Sequence, residues 1–180
     1  EEGSVDGAVI FKNSYEATGD LELEAKKELE GRTLEAGQFT FVLKSVGSAT
    51  PKFHTTGKNT AKGAITFEKL PSYTMEDAGK TYSYKLYEDG TAKTGGYTYD
   101  ATIYNIDVTI TDLGNGSLEV KKEITVDGGE EKPTDGVMIF KNSYKAEDEL
   151  QLTAKKVLSG RTLEEGQFHF ILQGDNIATQ

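Results

Sequence analysis

A lysine occupies an apolar row in LELEAKKELEG, residues 21–31. Read as a strand, in which side chains alternate between two faces, this segment groups Lys27 with the leucines and leaves Lys26 on the other face. Two other polar residues share a face with aromatic residues in the same way. Asn142 lies in the aromatic row of IFKNSY, and Glu88 ends the aromatic row of TYSYKLYE. The alternation therefore predicts an amine, an amide and an acid on faces that exclude water.

Each of these groups has an ordinary explanation when it is taken alone. A lysine can reach solvent along its stem, a buried asparagine can bind backbone, and a glutamate at a strand end can be solvated. Without one another, however, three buried polar groups would each carry a large desolvation penalty. This cost favours an arrangement in which the three groups meet.

If the groups meet, their chemistry follows from burial. Burial disfavours both charged forms, so proton transfer from Lys27 to Glu88 leaves a neutral and nucleophilic amine. The protonated acid can then donate to the Asn142 carbonyl, stabilise the oxyanion and carry a proton to the leaving nitrogen. The sequence thus predicts loss of ammonia and an isopeptide bond between Lys27 and Asn142.

The chain contains an internal repeat. DGAVIFKNSY at 6–15 returns as DGVMIFKNSY at 135–144, and the segment around Lys27 returns around Lys156. Both copies have the same offset, 156 − 27 = 129 residues. A period of this length is a whole domain, so the sequence predicts a tandem array of domains.

Polar linkers, EATGD and KAEDE, divide this array. The expected organisation is the last strand of a preceding repeat at 1–15, a complete repeat at 16–144, and the first strands of a following, truncated repeat at 145–180. Asn13 and Lys156 are the repeat equivalents of the two bonded residues. Their own partners lie outside this sequence, so both are expected to stay unpaired within the chain.

The complete repeat consists of short alternating segments rich in Val, Ile, Thr, Tyr and Phe, separated by glycine-bearing breaks. Seven strands are predicted, at 21–29, 38–44, 64–70, 80–88, 101–113, 117–126 and 137–144. The Gly-Asn-Gly sequence at 114–116 indicates a hairpin. TLEAG and TMEDAG can form one helical turn at most, so an antiparallel β-sandwich is the predicted fold.

Composition excludes several classes of function. With 20 basic and 30 acidic residues in 180, the net charge is −10, which disfavours nucleic acid and anionic membranes as partners. No apolar segment is long enough to span a bilayer or to form a signal-peptide core. Cysteine is absent, and His54 and His169 have no nearby ligand set, so we expect no metal, no cofactor and no turnover enzyme.

Four motifs occur in a characteristic order: AKKELEGRTLEAGQFTF, TYSYKLYE, YTYDATIYNIDVTITDLGNG and IFKNSY. Together they resemble the streptococcal-pilin isopeptide-linkage domain of Gram-positive pilins and multidomain surface proteins, over the whole complete repeat. The resemblance implies an immunoglobulin-like sandwich whose first and last strands are joined by a spontaneous Lys–Asn bond with help from a Glu. The matching positions are Lys27, Asn142 and Glu88, which the alternation had also selected.

The resemblance also implies a function and a location. It predicts a structural stalk or shaft module on a Gram-positive cell surface, anchored to the cell wall or part of a pilus. The bond would confer mechanical and proteolytic resistance and would form once, without turnover. The implied partners are neighbouring repeats and other pilin subunits or host surface ligands. No sorting signal is evident, since LPSYT at 70–74 has the wrong ending, and Lys132 is only a faint candidate for an intersubunit lysine.

Two alternatives remain open at this point. One is the same sandwich without the bond, in which Lys27 merely reaches solvent. The other is a module that binds carbohydrate or a host protein through exposed loops, where Tyr73, Tyr97 and Tyr99 could stack on sugar rings.

Overall fold

The computed structural model describes residues 11–47, 52–90, 95–129, 132–146 and 151–172. The chain divides into two compact units, Glu1–Ala146 and Glu147–Gln180.

The first unit is built from β-strands. Its described residues form eleven strands: β1 (Thr18–Asp20), β2 (Ala25–Glu30), β3 (Thr40–Ser45), β4 (His54–Asn59), β5 (Ile65–Phe67), β6 (Ser72–Thr74), β7 (Thr81–Glu88), β8 (Tyr97–Thr98), β9 (Ile103–Asp112), β10 (Leu118–Val126) and β11 (Met138–Tyr144). Among the described residues, helix is limited to two 3₁₀ turns, at Met75–Asp77 and Thr134–Gly136. The first of these lies in TMEDAG, as expected.

These strands form two main sheets and one small pair. Six strands make the larger sheet in the order β10-β9-β7-β3-β4-β5, three make the smaller sheet in the order β2-β11-β8, and β1 pairs with β6. Buried residues of both sheets, such as Phe41 and Phe140, form one hydrophobic core. The predicted all-β, immunoglobulin-like antiparallel sandwich is therefore confirmed, with one parallel pair, β2 and β11, inside it.

The central strands follow the predicted alternation. In β9, every second side chain from Tyr104 to Ile110 is buried, while the intervening ones face outward. The hairpin between β9 and β10 turns at 114–116, as predicted. Both of its glycines have positive φ, +72° at Gly114 and +87° at Gly116, a conformation that costs other residues energy.

Side chains close the outer edge of β11. The Tyr104 hydroxyl donates to the carbonyl oxygen of Ile139 at 2.9 Å and accepts from the N–H of the same residue at 3.0 Å. Further along, the Lys141 N–H donates to the Asp100 carboxylate. β8 pairs with this edge only at the last two residues of β11. The backbone groups on that side of the strand are thus occupied largely without a neighbouring strand.

The sequence prediction missed four of the eleven strands, β1, β4, β6 and β8, and β1 lies within EATGD, which was predicted to be a linker. The predicted strand at 21–29 is regular only from Ala25, because the chain before it pairs separately as β1 with β6. β4, with the sequence HTTGKN, was not predicted at all. Its buried positions are Thr55, Gly57 and Asn59, which give no apolar signal. The strand is glycine-bearing because a Cβ on Gly57 would overlap the Phe67 ring.

The partial repeats carry no strand among their described residues. Residues 11–17 are irregular, and residues 1–10 of the predicted strand lie outside the described range. In the second unit, residues 151–172 form turns and extended chain without strand pairing. In the complete repeat the equivalent strands, β2 and β3, pair with β11, β4 and β7. The sequence repeats the β11 segment at 6–15 but holds no second copy of β4 or β7. The assignment of both ends to further repeats stays a prediction.

Candidate cross-linking site

Lys27 lies on the inner face of β2 with only 1% of its surface exposed. The strand alternates buried and exposed positions here, so Lys26 faces outward as the sequence indicated. The Lys27 N–H donates to the carbonyl oxygen of Gly63 at 2.7 Å, which fixes the backbone beneath the side chain. Because none of the side chain is exposed, Lys27 does not reach solvent, while the presence of the bond stays a prediction.

Glu88 comes from the opposite sheet. It is the last residue of β7 and pairs with Phe41 of β3, and it is 7% exposed. Its Oε2 accepts a hydrogen bond from the Lys27 Nζ at 2.6 Å, and its Oε1 accepts one from the Asn142 Nδ2 at 2.7 Å. One carboxyl group therefore bridges the amine and the amide across the core.

Asn142 lies on the inner face of β11 and is 3% exposed. In the parallel pair, Phe140 is opposite Lys27, so Asn142 is one inward position further along. Its Oδ1 accepts a hydrogen bond from the backbone N–H of Asp100 at 2.7 Å. The structure thus brings together the three residues that the sequence selected, and it adds a fourth group.

The amide orientation differs from the sequence expectation in one respect. We expected Glu88 to donate to the Asn142 carbonyl, whereas the carbonyl faces Asp100 and Glu88 faces the amide nitrogen. The physical reason is the Asp100 N–H, which is a donor and can be satisfied only by the oxygen of the amide. Sequence reasoning missed Asp100. The one available signal was its position two residues before Thr102, typical of an aspartate that accepts from the backbone of its own turn.

The surroundings of the site are aromatic. The Lys27 Nζ lies 4.7 Å from the centroid of the Phe39 ring and 6.0 Å from that of Phe41. Burial lowers the pKa of Lys27 below its usual 10.5, while the hydrogen bond and charge of Glu88, and more weakly the charge of Asp100, act in the opposite direction. Among the described residues, no buried side-chain nitrogen or oxygen lacks a hydrogen-bond partner. The arrangement supports proton transfer and nucleophilic attack in a dry environment.

Gly63 packs closely against the backbone of Lys27. Gly63 has φ +92°, and a Cβ there would overlap the carbonyl oxygen of Lys27. We expect Gly63→Ala to lower the free energy of unfolding by about 1 to 3 kcal/mol from backbone strain, and further from displacement of β2. Gly79→Ala is the matched control, since Gly79 has φ +79° with nothing within 4 Å of a Cβ. If urea unfolding gives the same decrease in the free energy of unfolding for both variants, the close approach of Gly63 to the Lys27 carbonyl oxygen has no effect on stability.

The repeat equivalents are placed apart from any such site. Asn13 is exposed in the irregular segment before β1, and Lys156 is exposed in the second unit. Lys156 has its Nζ 4.4 Å from the centroid of the Phe168 ring, which repeats the local contact between Lys27 and Phe39. Their lack of cross-linking stays a prediction.

The three tyrosines proposed for sugar binding are engaged in packing. Tyr73 is in β6 rather than in a loop, is 4% exposed, and its hydroxyl lies 2.9 Å from that of Tyr84. Tyr97 is in β8, and both it and Tyr99 pack edge-on against Phe39. Tyr73 is therefore buried, and Tyr97 and Tyr99 are partly buried.

Other candidate groups give little sign of a site. Within the described ranges there is no cluster of three or more His, Asp or Glu that could hold a metal ion. His54 begins β4, where it is exposed, and His169 is exposed in the second unit. No helix within the described residues has the length and apolarity needed to cross a membrane.

The sandwich and its buried Lys–Glu–Asn trio define a class of β-domain in which one acid joins a lysine and an asparagine on neighbouring strands. Residues 23–145 match the family described as Spy0128-like isopeptide containing domain, FctA. The chain belongs to this family, which confirms the resemblance seen in the sequence.

Solved structures similar to the chain include two pilins of Streptococcus pyogenes. The major pilin is 19% identical, with 74% of this chain and 51% of that chain covered and a TM-score of 0.41. The T-13 major pilin is also 19% identical, with 74% and 55% covered and a TM-score of 0.42. This chain thus spans about half the length of those pilins. No curated protein matches it.

Proposed function

We propose that residues 16–144 form a structural module of a Gram-positive pilin or surface adhesin, self-cross-linked by an isopeptide bond between Lys27 and Asn142. Glu88 assists the reaction, which occurs once per chain. Membership of the isopeptide domain family supports a shaft or stalk role on the cell surface. Neighbouring repeats and other pilin subunits are the proposed partners, with host surface ligands beyond them.

The observation that carries the proposal is the bridge formed by one carboxyl group. Glu88 contacts the attacking nitrogen through Oε2 and the leaving nitrogen through Oε1, at 2.6 and 2.7 Å. A general acid–base must lie within hydrogen-bond reach of both atoms between which it moves a proton. Glu88 meets this requirement at both ends without any movement of the backbone.

The proposed reaction begins with proton transfer from the Lys27 ammonium to Oε2 of Glu88. The neutral amine attacks Cγ of Asn142, which forms the new C–N bond and moves negative charge to Oδ1. Glu88, now protonated, delivers its proton to Nδ2 and then, as a carboxylate again, accepts the surplus proton of the attacking nitrogen. The C–N bond to Nδ2 then breaks, ammonia leaves, and the protonated acid remains beside the new amide. One amine and one primary amide are consumed, and one secondary amide and one ammonia are formed.

Intact mass tests this proposal directly. The purified, folded chain should be lighter by one ammonia than its sequence requires, and peptide sequencing by tandem mass spectrometry should find Lys27 joined to Asn142. Asn13 and Lys156 should appear only in linear peptides. Recovery of the full sequence mass from folded protein would overturn the proposal.

Stability should depend on pH when the bond cannot form. Asn142→Ala removes the electrophile and retains Lys27, whose pKa in the fold is lowered by burial. Between that lowered pKa and 10.5 the unfolded chain binds more protons than the folded one, so the free energy of unfolding should rise with pH across this window. The destabilisation is complete below the lowered pKa and absent above 10.5.

Urea unfolding as a function of pH measures this effect. The double variant Asn142→Ala/Lys27→Met is the control, because it retains every other titrating group of the single variant. The stability difference between the two should shrink as pH rises towards 10.5. A constant difference would mean that Lys27 has the same pKa in the folded and unfolded chains.

The alternative of a ligand-binding module has less support. It relied on exposed aromatic rings, and Tyr73, Tyr97 and Tyr99 are engaged within the sandwich.

A further inference from the structure

The carbonyl end of Asn142 has a donor of its own. The Asp100 N–H lies 2.7 Å from Oδ1, on the side of the amide away from the Glu88 contact at Nδ2. In acyl transfer, negative charge develops on this oxygen, and a backbone N–H already aimed at it stabilises the transition state. Such a donor acts most strongly in a site that excludes water, as this one does.

The carboxylate of Asp100 braces that donor from two directions. Its Oδ1 accepts from the N–H of Thr102 at 2.8 Å, which closes the local turn. Its Oδ2 accepts from the N–H of Lys141, the residue immediately before Asn142. The loop segment that carries the Asp100 N–H is therefore hydrogen-bonded to β11, the strand that carries Asn142. With both ties in place, the N–H stays aligned with the carbonyl.

This alignment also selects the orientation of the amide. An amide rotated by half a turn would set its NH₂ group against the Asp100 N–H, and two donors would face each other. The observed orientation is the one that presents the leaving nitrogen to Glu88. The groups at the two ends of the amide thus have separate tasks, one on the oxygen and one on the nitrogen.

We propose that Asp100 is a positioning residue for cross-linking: its carboxylate holds its own N–H against Asn142 Oδ1, where the N–H orients the amide and stabilises the oxyanion. This inference rests on the proposed cross-linking function. It assigns the oxygen of the amide to a backbone donor and limits Glu88 to proton transfer between the two nitrogens.

The charge of Asp100 offers a rival explanation with the opposite sign. The carboxylate raises the pKa of Lys27, so its removal would increase the neutral amine and speed the reaction. Loss of positioning would slow the reaction instead. Asp100→Asn distinguishes the two, because it removes the charge, keeps an oxygen for the Thr102 N–H and gives up the acceptor for the Lys141 N–H.

The experiment follows bond formation in the full chain made by cell-free synthesis, with samples quenched over time and the loss of ammonia read by intact mass. We expect Asp100→Asn and Asp100→Ala to react more slowly than wild type, the alanine variant by about tenfold or more. Loss of an oxyanion donor, about 10²- to 10³-fold in rate, sets the upper limit. The slowing should be greatest at high pH, where Lys27 is neutral in both chains, because at lower pH loss of the Asp100 charge also lowers the Lys27 pKa and partly offsets the slowing.

Asp107→Asn is the matched control. Asp107 is an exposed aspartate of β9 that accepts from the Ser83 hydroxyl, remote in the pairing from β11. It should react at the wild-type rate. Circular dichroism of each variant shows whether it has folded, and the nearly isosteric Asn variant decides the question if the Ala variant does not fold.

The outcomes separate this inference from the proposed function. If folded wild-type chain loses no ammonia, the proposed function fails. If wild type reacts and Asp100→Asn matches or exceeds its rate, positioning by Asp100 is overturned and the charge explanation stands.

Discussion

A chain with Glu88→Gln is expected to keep the mass of one ammonia that wild type loses, and to unfold with a free energy lower by at least about 4 kcal/mol. Glutamine cannot take the proton of Lys27, so no nucleophile forms. The missing bond would otherwise close a loop from 27 to 142, and closure of a loop of about 115 residues stabilises by roughly 4 to 5 kcal/mol if it acts as a disulfide does. The buried amine also loses its counter-ion, which adds to the cost.

Two variants separate these contributions. Asn142→Ala prevents the same bond but keeps the contact between Lys27 and Glu88. The decrease in its free energy of unfolding, measured in guanidinium, therefore reports mainly the missing cross-link. Glu123→Gln removes an exposed carboxylate whose ion pair with Lys132 is at the surface, and its stability should change by less than about 1 kcal/mol. A Glu88→Gln chain as stable as wild type would contradict the proposed role of the bond.

Under force, the cross-linked module is expected to stay short while the Glu88→Gln module extends by roughly 380 to 410 Å, the extended length of about 115 residues at ~3.3 to 3.6 Å each. In the linked chain, tension entering at β2 passes to β11 through the Lys27–Asn142 bond, and the residues between them carry no load. Single-molecule stretching between the chain ends measures this difference, with Glu123→Gln as the control. Equal extension of wild type and Glu88→Gln would mean that force does not travel through the bond.

The direction of the two strands affects how the unlinked variant fails. β2 and β11 are parallel, and force would act on the start of β2 and the end of β11. Their six register pairs are then loaded together rather than one after another. We therefore expect the Glu88→Gln chain to unfold in one step at the β2–β11 pair, before the large sheet opens.

Alternation alone selected the three site residues. A strand has a side-chain period of two, so a polar residue in a row of aromatic ones is visible without any structure. Lys27, Glu88 and Asn142 were all found in this way, and all three are buried as predicted. The sandwich was predictable for the same reason, because most of its strands alternate between the core and solvent.

Features that depend on the path of the backbone were not predictable. The N–H of Asp100 reaches Asn142 through a loop conformation that no side-chain pattern encodes. β4 was missed because it buries Thr55, Gly57 and Asn59, and it fits because Gly57 lets the Phe67 ring approach. Asn59 is satisfied there by the N–H of Phe39 and by backbone carbonyls. The parallel pairing of the first and last long strands also needed the fold itself.

Side chains occupy the backbone groups on the outer side of β11, and this affects how the strand can pair with other molecules. A strand with free N–H and C=O groups on one side can recruit a strand from another molecule, which begins aggregation. Here the Tyr104 hydroxyl and the Asp100 carboxylate occupy those groups along much of the strand. Copies held side by side at high local density would therefore find few free backbone groups to pair with along β11.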